Sequence, residues 1–126
     1  MAAVTTNLAL DPIFKGKAAD YTLTLSSTGG GLALADIEDI VATFKADPSD
    51  ADSAAIVQKS LGAGITLTGV SGDNVLALLA LTCADTALFT AGVTYSFDIQ
   101  VDTTARCAET ALQGTVRIKQ PITISN

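Results

Sequence analysis

This chain has no histidine and no tryptophan, and each gap excludes chemistry. Without an imidazole, nucleophilic triads and most general-base schemes lose their usual proton carrier, and zinc loses its commonest nitrogen ligand. Serine and threonine are so numerous that no single hydroxyl stands out as a nucleophile. Aromatic residues are scarce, four Phe and two Tyr, which leaves little for the ring stacking by which sugars are commonly held. Seven basic residues face thirteen acidic ones, a net charge of −6. That balance cannot neutralise a phosphate backbone and disfavours nucleic acid and anionic membranes as partners. The most apolar stretch, residues 75–81, falls far short of the roughly 20 residues that cross a bilayer as a helix. The first residues, Met-Ala-Ala-Val-Thr-Thr-Asn, lack the basic start and apolar core of a secretion signal, so a product made in the cytoplasm without a signal peptide is expected.

Two cysteines, Cys83 and Cys107, have neither CxxC spacing nor a histidine to complete a site. Two free thiols in a reducing compartment are expected, with a Cys83 to Cys107 bridge as the alternative. Charged residues make up 16% of the chain, against roughly 25% in an ordinary domain. Either the surface is coated with Thr, Ser and Ala, or its faces are covered by other subunits, where charge is depleted.

What is present is strand patterning. Over residues 93–102 every odd position is apolar (Val93, Tyr95, Phe97, Ile99, Val101) and every even one polar, so one face is buried. Val116, Ile118, Ile122 and Ile124 alternate in the same way, which predicts an antiparallel partner strand reached through residues 103–112. Earlier, Tyr21, Leu23 and Leu25 alternate with hydroxyl residues up to a triple glycine. Ile40, Ala42 and Phe44 form the inward side of a third strand, which closes at the turn Asp47-Pro48-Ser49-Asp50. Residues 54–60 and 65–68 are short strands, residues 69–74 a turn, and residues 7–14 an edge strand bent by Pro12. Residues 75–81 are apolar on both faces, as in a strand covered on both sides or one whose outer face meets a partner. Thr82 with Asp85 has the form of a capped helical turn. The sum is an all-β, immunoglobulin-like antiparallel β-sandwich of about seven to eight strands, with one helical turn near residues 83–89. Residues 1–14 form an N-terminal arm or edge strand, and residues 15–126 a single domain, a size that buries roughly two thirds of its unfolded surface.

The remaining clusters read as structure. Asp47, Asp50 and Asp52 lack the glycine and glutamate of a calcium loop, so a solvated acidic loop is expected. Asp36, Glu38 and Asp39 lack the aromatic platforms of a glycosidase cleft, and Gly29-Gly30-Gly31 lacks the Lys of a phosphate loop. Tyr21, Phe44, Tyr95 and Phe97 fall on inward positions and are expected in the core. No catalytic, cofactor or metal residues are assigned.

The order of features resembles a family of small bacteriophage virion proteins, with the immunoglobulin-like β-sandwich of the upper baseplate protein N-terminal domain. The matching residues start at Lys15-Gly16-Lys17-Ala18-Ala19-Asp20-Tyr21-Thr22-Leu23-Thr24-Leu25, similar to an opening "KGD…YTLTL" strand. They continue through Asp39-Ile40-Val41-Ala42-Thr43-Phe44-Lys45 and Gly64-Ile65-Thr66-Leu67. The most specific part is Thr82-Cys83-Ala84-Asp85-Thr86 and Gly92 leading into Tyr95-Ser96-Phe97-Asp98-Ile99-Gln100-Val101, with a final "GTVxIxxPIT" strand at residues 114–123. The chain departs from the pattern at Lys17 and Ala18, where an acidic residue often follows the glycine. The resemblance implies a non-enzymatic structural component of a phage particle, in capsid decoration or cement or in tail or baseplate, without cofactor. Its partners would be other virion proteins and further copies of itself. Under that reading the contact residues are Val4, Leu8 and Leu10 of the N-terminal arm and Leu76 and Leu78 on the second face of the apolar strand; ordinary core packing is the competing reading for all five. The polar face bearing Asp98, Asp102, Arg117 and Lys119 reads as scaffold. A carbohydrate-binding adhesion domain is the alternative function.

Overall fold

The computed structural model describes residues 4–7, 13–27, 33–47, 55–72, 74–104 and 109–120. Nine strands follow in order: β1 (Val4–Asn7), β2 (Ile13–Phe14), β3 (Ala19–Ser27), β4 (Ile37–Lys45), β5 (Val57–Leu61), β6 (Gly64–Ser71), β7 (Asn74–Leu81), β8 (Thr94–Thr103) and β9 (Glu109–Lys119). A 3-10 turn, Leu34–Asp36, precedes β4, and one short helix, α1 (Cys83–Ala87), follows β7. The lateral order is β1-β3-β7-β6-β5-β4-β8-β9-β2. It divides into two layers, β1-β3-β7-β6 and β5-β4-β8-β9-β2, joined where β5 meets β6 through only two parallel pairs, Ser60 with Gly64 and Leu61 with Ile65. The fold is the expected all-β sandwich, and its inner faces share one core.

Alternation builds that core. On β7, Val75, Ala77, Leu79 and Leu81 are buried while Leu76, Leu78 and Ala80 are half-buried; on β8, Tyr95, Phe97, Ile99 and Val101 are buried. Leu23 and Leu25 of β3 and Ile40, Ala42 and Phe44 of β4 complete it, while Tyr21 is partly buried against it. Val116 and Ile118 of β9 are buried as expected, while Ile122 and Ile124 lie outside the described residues.

Several boundaries differ from expectation, each for a tertiary reason. The first strand is two strands: β1 pairs antiparallel with β3, whereas β2 pairs parallel with β9, so the N-terminal segment changes sheets between them. That split raises the strand count to nine. Residues 69–74 are not one turn, because β6 runs to Ser71, with a bulge between Leu67 and Gly69 where Gly69 takes φ 152°. Val93 lies just before β8 and is exposed at 38%, its N–H and C=O tied to Thr90 and Ile118 instead of to a ladder. β9 begins at Glu109, inside the segment expected to connect the strands.

Candidate functional site

The helical turn forms as its sequence dictates and then closes one end of the sandwich. Thr82 is the N-cap: its hydroxyl accepts the Asp85 N–H at 3.1 Å, and the Asp85 carboxylate accepts the Thr82 N–H at 2.9 Å. From the other end Lys15 Nζ donates to the carbonyls of Ala87 and Phe89, both at 2.6 Å, satisfying acceptors that the last turn leaves open. Thr86 is fully buried and its hydroxyl donates to the Lys17 carbonyl at 3.0 Å. Beneath this lid Phe89 plugs the core, edge-on to Phe44 at 5.7 Å and to Tyr95 at 4.9 Å. The Tyr95 hydroxyl accepts the Thr90 N–H at 2.9 Å. An aromatic cluster with its one hydroxyl satisfied is core, and so is Phe97, 5.9 Å from Phe44.

One ion pair fastens the lid to the neighbouring strand. Gly64 has φ +105°, and a Cβ there would lie 2.5 Å from Lys59 Cδ, so the bare backbone leaves room for the lysine stem. Lys59 Nζ then reaches the Asp85 carboxylate at 2.7 Å. Burial pushes the Asp85 carboxyl up, but the hydrogen bonds from Lys59 and Thr82 and the lysine charge outweigh it, so the group titrates below the usual aspartate range. A carboxyl with a depressed folded value contributes stability that is full above the unfolded value, about 3.9, and is lost as pH falls through the folded one. Asp85→Asn is therefore expected to lower the urea midpoint at pH 7 and to leave a shallower loss of stability below pH about 4 than the native chain shows. Equal acid limbs in the two proteins would contradict the pairing.

The expected contact residues separate. Val4 opens β1, while Leu8 and Leu10 lie outside the described residues. Leu76 and Leu78 do lie on the outer face of β7. Leu76 sits opposite Thr24, and Leu78 sits between Thr22 of β3 and Thr66 of β6. Ala80 continues the row opposite Asp20, the first charged residue along it. The centre of this sheet therefore presents aliphatic side chains set in threonines.

Nothing resembling a catalytic arrangement was assigned from sequence. Among the described residues no group of three or more Cys, Asp or Glu side chains could hold a metal. The Cys83 thiol is free and exposed; Cys107, Asp50, Asp52 and the triple glycine lie outside the described residues. A depression on the outer face of the second sheet, between Thr43, Lys45, Ser96, Asp98 and Gln113, has about 30 Å³, room for a water molecule. An open groove runs along Ala91, Gly92, Arg117, Ile118, Lys119 and Gln120. Sequence reasoning missed the Lys15 and Lys59 contacts, which join positions far apart in the chain and carry no local signal.

No protein-family model matches this chain, and no curated protein matches it in sequence. Among solved structures it is similar to a superoxide reductase (neelaredoxin) from Ignicoccus hospitalis, at 8% identity and TM-score 0.46, over 93% of this chain and 80% of that one. It is also similar to the SrpA adhesin of Streptococcus sanguinis at 5% identity and TM-score 0.45; the match covers 95% of this chain and 60% of the adhesin. A third is AggA, the major subunit of aggregative adherence fimbriae type I from Escherichia coli, at 9% identity and TM-score 0.36, over 96% and 97% of the two chains. Likeness at this level carries no argument about function.

Proposed function

We propose that this chain is a non-enzymatic structural component of a bacteriophage particle, working in capsid decoration or in the tail or baseplate through contacts with other virion proteins. The family resemblance that runs from Lys15 to Thr123 supplies the reading. The observation that carries it in the fold is the outer face of β7, where Leu76 and Leu78 sit half-buried among Thr22, Thr24 and Thr66 at the centre of a sheet. Aliphatic rows of this kind in a charge-poor setting suit burial against a partner. The β5 and β6 edges of the two layers meet each other, so only β1 and β2 end the strand order, and a partner is better served by a face than by an added strand.

The test is a Leu78→Asp variant, assayed for binding to the capsid and tail proteins encoded beside this gene. Native-like circular dichroism with binding lost is the expected outcome. Unaltered binding, or saturable glycan binding by the native chain in place of particle binding, would overturn the proposal.

A further inference from the structure

Strand β8 serves as a ruler. Its ten residues, at about 3.3 Å each, set its first and last residues roughly 30 Å apart. At its beginning, Thr94 pairs with Arg117, and Lys119 lies two residues further along β9. Lys15 joins them, its N–H bonded to the Lys119 carbonyl. At its other end, Thr103 pairs with Ile37 and Asp102 with Asp39, so Asp36, Glu38, Asp39 and Asp102 collect there. Asp85, near the basic end, is held by Lys59, and Asp20 points to the outer face of the other sheet.

The exposed apolar side chains divide in the same way. Phe14, Leu88 and Val93 lie at the basic end, beside the groove along Ala91 and Gly92; Leu34 and Val70 lie at the acidic end, where the 3-10 turn approaches β6. These five are all the exposed large apolar residues among those described, and none lies on a mid-strand face. Each end therefore combines uncovered apolar surface with one sign of charge, and the signs are opposite.

We infer that copies of this chain associate head to tail, the basic, Phe14-bearing end of one seating on the acidic, Leu34-bearing end of the next. The charges are complementary between ends and repulsive between like ends, which selects this orientation over a two-fold dimer. Contact between two different patches leaves a free patch at either end, so the association is open-ended. This surface is distinct from the β7 face and does not depend on the virion reading. It assigns partner contact to the ends of the β8–β9 ribbon, which from sequence reads as scaffold.

The test is sedimentation of the intact protein over a range of concentrations and ionic strengths. At low salt the average mass is expected to climb with concentration beyond twice the 12.8 kDa of the chain. It is expected to fall back toward the monomer at about 1 M salt, where the screening length is about 3 Å. Lys119→Glu and Glu38→Lys should each weaken association about tenfold or more. Mixed together, they should form a species of twice the chain mass and no larger, because each retains one working end. A monomer at all concentrations, charge reversals without effect, or no species of twice the mass in the mixture would overturn the inference. Leu78→Asp should leave the association unchanged, which separates a failure here from a failure of the β7 contact.

Discussion

Replacing Phe89 with alanine is expected to remove about 3–5 kcal/mol of stability, the largest effect of any core truncation in this chain. Phe89 is completely buried, sits edge-on to both Phe44 and Tyr95, and is the only aromatic residue that the α1 segment sends into the core. Its loss leaves a cavity at the end of the sandwich that the surrounding strands cannot collapse to fill, because β8 is fixed by ladders to both β4 and β9. The lid also loses its anchor. Lys15 holds the carbonyls of Ala87 and Phe89, so a displaced backbone there releases both bonds. Against a total stability of about 5–15 kcal/mol, a melting temperature lower by roughly 10–20 °C is the expected reading by circular dichroism. Phe89→Leu, which keeps much of the volume, should cost less than half as much. A loss below about 1 kcal/mol for the alanine variant would mean that α1 closes nothing.

Neighbouring leucines on β7 should behave in opposite ways. Leu79→Asp is expected to unfold the chain: it forfeits about 1.5–3 kcal/mol of apolar burial and strands a carboxylate where nothing can pair with it. Leu79 is fully buried between Tyr21 of β3 and Ile65 of β6. Leu78→Asp, one residue earlier, places the same carboxylate on the outer face between two threonines, where water reaches it, and should cost about 1–2 kcal/mol. Urea unfolding of the two variants measures the contrast directly. If both unfold, Leu78 belongs to the core and the β7 face is no docking surface; if both fold, the register of β7 is wrong by one residue.

Much of this fold is legible in single strands. The period-two alternation on β3, β4, β7 and β8 assigns the inward face residue by residue, because one buried face forces every second side chain to be apolar. Thr82 with Asp85 announces the capped turn, since both halves of the capping box lie within four residues. The N-terminal region is less legible. Two-residue β2 is held by the register of β9 more than a hundred residues later, and no local pattern tells a chain to leave one sheet for the other. Gly69 has the same limit: Gly marks a break, but whether the break is a turn or a bulge depends on the partner strand it must stay beside.

The sequence by itself determined the class of fold, the sign of the net charge, the inward faces of the long strands and the apolar character of the second face of β7. These are properties of composition and of spacing along the chain. Tertiary structure alone decided which strands are neighbours, that Lys59 would lie across Gly64 to reach Asp85, and that basic and acidic side chains would gather at opposite ends of β8. Strand pairing brings together residues separated by dozens of positions, and the free energy of those pairings depends on partners that no local window contains.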